Sequence, residues 1–201
     1  MPCLAGCKTS STRRRKRWVS ETVDGMNFLL AMQSSRGWLT IDQARHDELS
    51  VVMAILSEAA AWLTAKGVRQ WQSPPPRRIW NLIEREISQG QVYLAHLAKD
   101  RFAVGTLRFE WIDQHLWHDE SDSAAYIYSM AVRPSVQGHK IGEMMIDWAK
   151  DFARSRSRQY LRLDCLAGNL ALRQYYEGLG FRFRRQATYL DYTGALYEMR
   201  L

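Results

Sequence analysis

Six consecutive residues, Gln137-Gly138-His139-Lys140-Ile141-Gly142, set two glycines among an amide, an imidazole and an ammonium. Glycine lets backbone approach a ligand closely and turn several N–H groups toward one point. The residues that follow carry a helical period: Ile141, Met144, Met145, Trp148, Ala149 and Phe152 share one face. A helix that starts here presents unpaired N–H groups and the positive end of its dipole, so the run suits a phosphate-type anion. His139 and Lys140 add charge if they face that anion; Lys140 reads equally well as a solvated residue at a helix start. The phosphate loop of nucleotide triphosphatases is excluded, because no Gly-Lys-Ser/Thr follows. The dinucleotide fingerprint is excluded by its glycine spacing and by the lack of a βαβ start.

The elements that must hold this run are legible on both sides of it. Ala124–Val132 is β-branched and aromatic enough for a strand buried on both faces. Arg133-Pro134 stops it, since proline fixes φ and removes a ladder donor. Downstream, Tyr160–Cys165 reads as a strand. Asn169–Leu179 reads as a helix with Leu172, Tyr175, Tyr176 and Leu179 on one face, ended by Gly180. Upstream, a strand over Leu39–Ala44 precedes a helix with Leu49, Val52, Met53, Leu56, Ala60 and Leu63 inward, capped by Asp47 and closed by Gly67. Pro74-Pro75-Pro76 forces an extended connector. A second helix covers Arg77–Ser88 with Trp80, Ile83 and Ile87 inward. Strands over Gln91–Ala98 and Phe102–Trp111, and a terminal pair over Phe181–Thr188 and Ala195–Leu201, complete the order βααβββαβαββ. Its fold class is α/β, a mixed sheet with helices on both faces.

Charge is unevenly placed. Of a net +7, residues 1–17 carry six cations and no acid, which leaves +1 (7 − 6) for the rest. Residues 1–36 therefore read as a disordered basic extension and 37–201 as one domain, and the near-neutral body gives no argument for nucleic-acid binding except through the tail. No apolar run reaches the ~18 residues of a membrane span. Cys3, Cys7 and Cys165 form no metal or disulfide pattern, so no metal is expected, Cys165 reads as an inert core thiol, and a reducing cytoplasm is the default.

The string MAVRPSVQGHKIGEMM resembles the acyl-CoA-binding motif of the GNAT superfamily of N-acetyltransferases, Gln/Arg-x-x-Gly-x-Gly/Ala after an apolar-Ala-Val-x-Pro run. Gln137, Ile141 and Gly142 match, Gly138 is frequent there, and Lys140 replaces the middle glycine. Asn169, Tyr176, Gly180 and Phe181 resemble a second element, Asn-x-x-Ala-x-x-x-Tyr-x-x-x-Gly-Phe, with Leu172 in place of alanine. The resemblance implies the acyl-CoA N-acyltransferase fold, acetyl-CoA as co-substrate and an amine as acceptor. It implies main-chain contacts to the pantetheine arm from Met130, Ala131 and Val132, and pyrophosphate contacts from Gln137 through Gly142. It also implies a pantetheine contact from Asn169, whose other role is helix N-cap.

Acyl transfer from a thioester needs the donor held, its carbonyl polarised, the amine deprotonated and the thiolate protonated; the thioester is already activated, so direct attack suffices. No Ser-His-Asp set is present for a covalent route. Tyr176 is the candidate general acid, because a phenol of pKa ~10 is protonated at neutral pH; Tyr175 is expected to point elsewhere and pack. For the base, Glu110, Asp164 and the Tyr128 hydroxyl stay open. The acceptor pocket is expected between the connector around Trp71, the acidic loop after Trp111 and the Tyr189–Gly194 turn. A small-molecule amine stands ahead of a protein N-terminus or lysine. A CoA-binding sensor of the same fold is the alternative, and a homodimer is left open.

Overall fold

The computed structural model describes residues 22–23, 26–27, 32–34, 37–97, 101–113, 115–118 and 123–201, and before Leu39 the backbone alone. The expected extension over 1–36 lies mostly outside them. Within it, β1 (Thr22–Val23) pairs with β2 (Met26–Asn27), and β3 (Met32–Ser34) pairs with the start of β4 (Gly37–Gln43).

From β4 the elements follow the predicted order: α1 (Leu49–Ala65), α2 (Arg77–Ser88), β5 (Val92–Leu97), β6 (Phe102–Glu110), β7 (Ala124–Val132), α3 (Ile141–Ser155), β8 (Tyr160–Leu166), α4 (Leu170–Gly178), β9 (Arg182–Tyr189) and β10 (Tyr192–Arg200). One sheet runs β3-β4-β5-β6-β7-β8-β10-β9, antiparallel except for β7 beside β8. That one parallel pair follows from α3, since parallel neighbours need a crossover.

Helices cover both faces. On one, Met145, Ile146, Trp148 and Phe152 of α3 pack with Tyr93, Leu107 and Leu163. On the other, Val52, Met53, Ile55 and Leu56 of α1 and Ile83 and Ile87 of α2 pack with Val92, Leu94 and Ala103. All six residues of β5 are buried: Tyr93, Ala95 and Leu97 face one cluster, Val92 and Leu94 the other, and His96 lies beside Asp42. A third cluster, Leu116, Trp117, Ala124, Tyr126 and Leu196, lies beneath the segment after β6.

Four expectations are corrected. Trp80 is 36% exposed, and Glu86 takes the inward place on α2, held by Arg108 at 2.9 Å. Asp47 does not cap α1; a 3₁₀ turn over His46–Glu48 leads in, with the Arg45 N–H donating to Glu48 at 2.9 Å. The segment His46–Ala65 is long and apolar enough for a membrane span by length and composition, contrary to the reading of the sequence; its apolar face packs on the sheet as a core helix does. Finally, β7 is buried over its first four residues and at Ala131, while Tyr128, Ser129, Met130 and Val132 are half-buried.

The last correction has a cause in pairing. Against β8, β7 pairs only from Ala124↔Tyr160 to Ile127↔Leu163. Against β6 its register slips between Thr106↔Ala131 and Arg108↔Tyr128, with Ser129 at φ +46°. A bulge of this kind bends the strand, and beyond Ile127 the two parallel neighbours part.

Trp148 anchors the α3 side: it is 1% exposed, stacks on Phe152 at 5.0 Å and tilts onto Tyr93 at 4.9 Å. Trp148→Ala should lower unfolding free energy by about 3–5 kcal/mol in chemical denaturation. A loss under about 1 kcal/mol would place the structural centre of the sheet elsewhere.

Candidate active site

Where β7 and β8 part, a cavity of about 830 Å³ opens. Tyr128 to Val132 form one side and Leu163 and Asp164 of β8 the other. Gln137, Gly138, Lys140, Ile141 and Gly142 close one end, Leu172, Tyr175 and Tyr176 of α4 lean over it, and Gln70, Trp71, Trp62 and Tyr192 close the opposite end. Nine of the eleven residues singled out from sequence thus line one cavity. His139 and Asn169 do not. Asn169 is buried and caps α4: its Oδ1 accepts from the Leu172 N–H at 3.2 Å, and its Nδ2 donates to Gln70 Oε1 at 3.3 Å. Gln70 in turn lines the cavity.

The glycine run has the local geometry that its sequence implies. A 3₁₀ turn, Pro134–Val136, leads out of β7 and buries Val136. Gly138 sits at φ +78° with open space beyond its Cα. Lys140, the residue just before α3, sits at φ +60° and offers the helix no side-chain cap. A left-handed conformation costs an L-residue about 1–2 kcal/mol, which is why glycine is the usual occupant of such a position. The Lys140 ammonium lies 3.6 Å from Glu143 on the surface, a pair of little weight. A Cβ on Gly142 would stand 2.7 Å from the Tyr175 hydroxyl. Tyr175 therefore faces the helix start, against the expectation that it points elsewhere, and burial pushes its phenol up to about 12.

Tyr176 is 6% exposed and packs among Phe181, Tyr197 and Tyr175. Burial holds its phenol well above the usual value, so it stays protonated, and its hydroxyl has no hydrogen-bond partner among the described residues. Cys165 on the same face is buried and its thiol is pushed up to about 12, as an inert core group should be.

The three carboxyl and hydroxyl groups considered as bases separate clearly. Glu110 does not line the cavity; it and Glu86 flank Arg108, whose Nε lies 2.7 Å from Glu110. The Tyr128 hydroxyl donates to Asp113 Oδ2, and both burial and that carboxylate push the phenol up, so it is held as a donor. Burial alone would raise Asp113, but the Tyr128 hydroxyl and the N–H groups of Trp117, Leu116 and His115, at 3.0, 2.8 and 2.8 Å, outweigh it and hold it low. Asp113 is thus the structural pin of the segment after β6; Asp119, Glu120 and Asp122 of that acidic loop lie outside the described residues.

Asp164 differs. It lines the cavity, its Oδ2 accepts from the Tyr192 hydroxyl at 2.6 Å, and its Oδ1 has no hydrogen bond among the described residues. Burial raises its carboxyl above the usual range, offset in part by Tyr192. Trp111, at the start of the loop expected near the acceptor, packs edge-on to Phe109 at 4.9 Å under Arg158. Gln70 and Trp71 of the connector and Tyr192 of the Tyr189–Gly194 turn, two stretches expected at the acceptor pocket, line the cavity, while Trp62 and Arg108 enter it with no sequence motif to announce them.

Comparison with known proteins places these observations. The acetyltransferase (GNAT) family model matches residues 56–181. The curated protein "Uncharacterized N-acetyltransferase YesJ" of Bacillus subtilis (strain 168) is 26% identical over 144 residues, 70% of this chain and 79% of its own. A GNAT-family acetyltransferase structure from Listeria monocytogenes superposes with a TM-score of 0.69 at 22% identity, covering 85% of this chain and 99% of its own. The structure of yncA from Salmonella typhimurium with its cofactor acetyl-CoA superposes with a TM-score of 0.57 at 15% identity, covering 81% and 94%.

The contact between Gly142 and Tyr175 is a test of the turn. Gly142→Ala should abolish the rise in melting temperature that acetyl-CoA gives, because the ring must swing away from the helix start. Adding Tyr175→Phe removes the obstructing oxygen and should restore much of that rise. Equal rises in all three proteins would show that acetyl-CoA does not use this turn.

Proposed function

The chain belongs to the acetyltransferase (GNAT) family and is an acyltransferase by that membership; from this we propose that it moves an acetyl group from acetyl-CoA to the primary amine of a small molecule, by direct attack in a ternary complex. The observation that carries the reading is the opening between β7 and β8, lined by an unpaired strand edge, a glycine turn at a helix start, Tyr176 and Asp164. The unpaired edge at Met130, Ala131 and Val132 suits an extended pantetheine arm, as an added strand would. An N–H in this bulged stretch suits the thioester oxygen, and such donors are worth about 3–4 kcal/mol each. Residues Gln137 through Gly142 suit the pyrophosphate.

Side chains alternate along β8. Leu163 and Cys165 face the α3 side with Tyr176, and Asp164 faces the other with Tyr192. A thioester in the gap is thus flanked by an acid on one side and a base on the other. Asp164 takes a proton from the substrate ammonium, and the freed lone pair forms the C–N bond. The intermediate collapses, the C–S bond breaks, and Tyr176 protonates the thiolate. The second nitrogen proton returns to the tyrosine through water. The balance is ammonium plus thioester giving amide, thiol and one released proton.

Tyr176→Phe should lower kcat by about 10²–10⁴ with acetyl-CoA affinity nearly unchanged, since the proton matters in the transition state. Wild-type turnover in that variant, with chemistry rate-limiting, would remove Tyr176 from the mechanism.

Asp164 gives a pH signature. Its base form grows as pH rises through a pKa above the usual carboxylate range, so kcat should climb there. Asp164→Asn should abolish that limb. Tyr192→Phe should move it to higher pH, because the hydrogen bond it removes holds the carboxyl lower. A limb unmoved by either change would assign the ascent to another group.

A further inference from the structure

Past Trp71 the site continues into a second cavity of about 600 Å³ that shares Gln70, Trp71, Ser129 and Tyr192 with the first. Leu56, Ala60 and Thr64 of α1 form its back, the connector with Pro75 and Pro76 one wall, and the β9–β10 turn at Asp191 the other. A molecule seated here has one end at Tyr192, and so beside Asp164.

The charge of this second cavity is unbalanced. Arg69 and Arg78 line it against the single carboxylate of Asp191. Arg78 Nη2 donates to the neutral Gln72 Oε1 at 3.4 Å, and Arg69 has no ion pair or hydrogen bond among the described residues. By contrast Arg108, in the main cavity, is neutralised by Glu86 and Glu110. Arg78 also stands with Arg77 in the first turn of α2, which holds no acid and whose N-cap is Pro76, without a side-chain cap. Cations there oppose the helix dipole. Arg69 and Arg78 are exposed at the mouth of the cavity, and two guanidiniums against one carboxylate suit an anionic guest.

We propose that the second cavity binds the body of the acceptor, and that this acceptor is a small amine carrying a carboxylate or phosphate group. This rests on the acetyl-transfer reading and sharpens it. The anionic group pairs with Arg69 and Arg78 through charge-assisted hydrogen bonds, and the ammonium end lies at the free oxygen of Asp164. Trp71 and the prolines supply a stiff apolar wall between the two ends. A polyamine would instead set its further ammonium groups against two guanidiniums.

The test is CoA release by the unaltered protein with paired acceptors that share one amine: an amino acid and its amide, and phosphoethanolamine and ethanolamine. Spermidine and a short peptide with a free N-terminus complete the set. The anionic member of at least one pair should have kcat/KM higher by about tenfold to hundredfold, and the pair that shows it tells carboxylate from phosphate. Arg69→Gln and Arg78→Gln should each raise KM for that member by about tenfold. Neither should change KM for its neutral counterpart or the thermal shift given by acetyl-CoA. Preference for the neutral members, spermidine or the peptide overturns the acceptor class and leaves acetyl transfer standing. Arginine variants that affect both members of a pair alike also overturn it. Absence of turnover with every amine, while acetyl-CoA still stabilises the fold, removes the transfer reading and the acceptor class together.

Discussion

A buried strand that runs out of partners is the constraint on which the rest of this structure depends. Each buried main-chain group left unpaired costs about 1–3 kcal/mol, so strands in the middle of a sheet are normally paired on both sides. β7 keeps that rule up to Ile127 and then breaks it, on the β8 side by divergence and on the β6 side by a bulge at Ser129. The break is sustainable because the first half of β7 is held on every side. Ala124 and Tyr126 are sealed beneath Leu116 and Trp117, and Tyr128 is tied to Asp113. The sheet can then present an internal edge whose polar groups are free for an extended guest.

The same economy appears in the carboxylates around that edge. Asp113 and Asp164 are chemically identical and both removed from bulk water, yet their acidities are moved in opposite directions. Four donors converge on Asp113 and make it a fixed anion. Asp164 receives a single donor, so the burial penalty prevails. An anion saturated with donors can organise a loop but has no lone pair to spare for a proton. An anion with one donor and one open oxygen can take up and release one. Hydrogen-bond count, more than position in the chain, separates the lowered carboxyl from the raised one.

Most of the fold was legible because its signals are local. The six apolar positions of α3, the stop at Arg133-Pro134 and the Asn169 cap of α4 each depend on neighbours a few residues away. All stand where the spacing put them. What escaped depends on tertiary contact. Trp80 was assigned inward with Ile83 and Ile87, but it lies 36% exposed, and the charged Glu86 is buried instead because it binds Arg108, 22 residues on. Tyr175 and Tyr176 are adjacent and both fit a packing role, and only the approach of α4 to Gly142 shows that both reach the cavity. Trp62 and Arg108 join the site from a helix and a strand whose patterns mark them only as ordinary positions.

The caps of the helices extend the argument about unpaired groups from strand to helix. α4, whose first residue faces away from the main cavity, has its free N–H groups served by Asn169. α1 has no side-chain cap at Glu48, but it is entered through a 3₁₀ turn in which Glu48 accepts from the Arg45 N–H. α2 and α3 start against the two cavities, and neither has a side-chain cap; their N-cap residues are Pro76 and Lys140, which have no side-chain acceptor to give. A missing cap costs about 1 kcal/mol, and at Lys140 the left-handed backbone adds to it. Filling either place with serine or aspartate would quiet the helix end and occupy the N–H groups that a ligand would otherwise bind. Strand and helices thus leave unsatisfied polar groups in the same region, around one connected space.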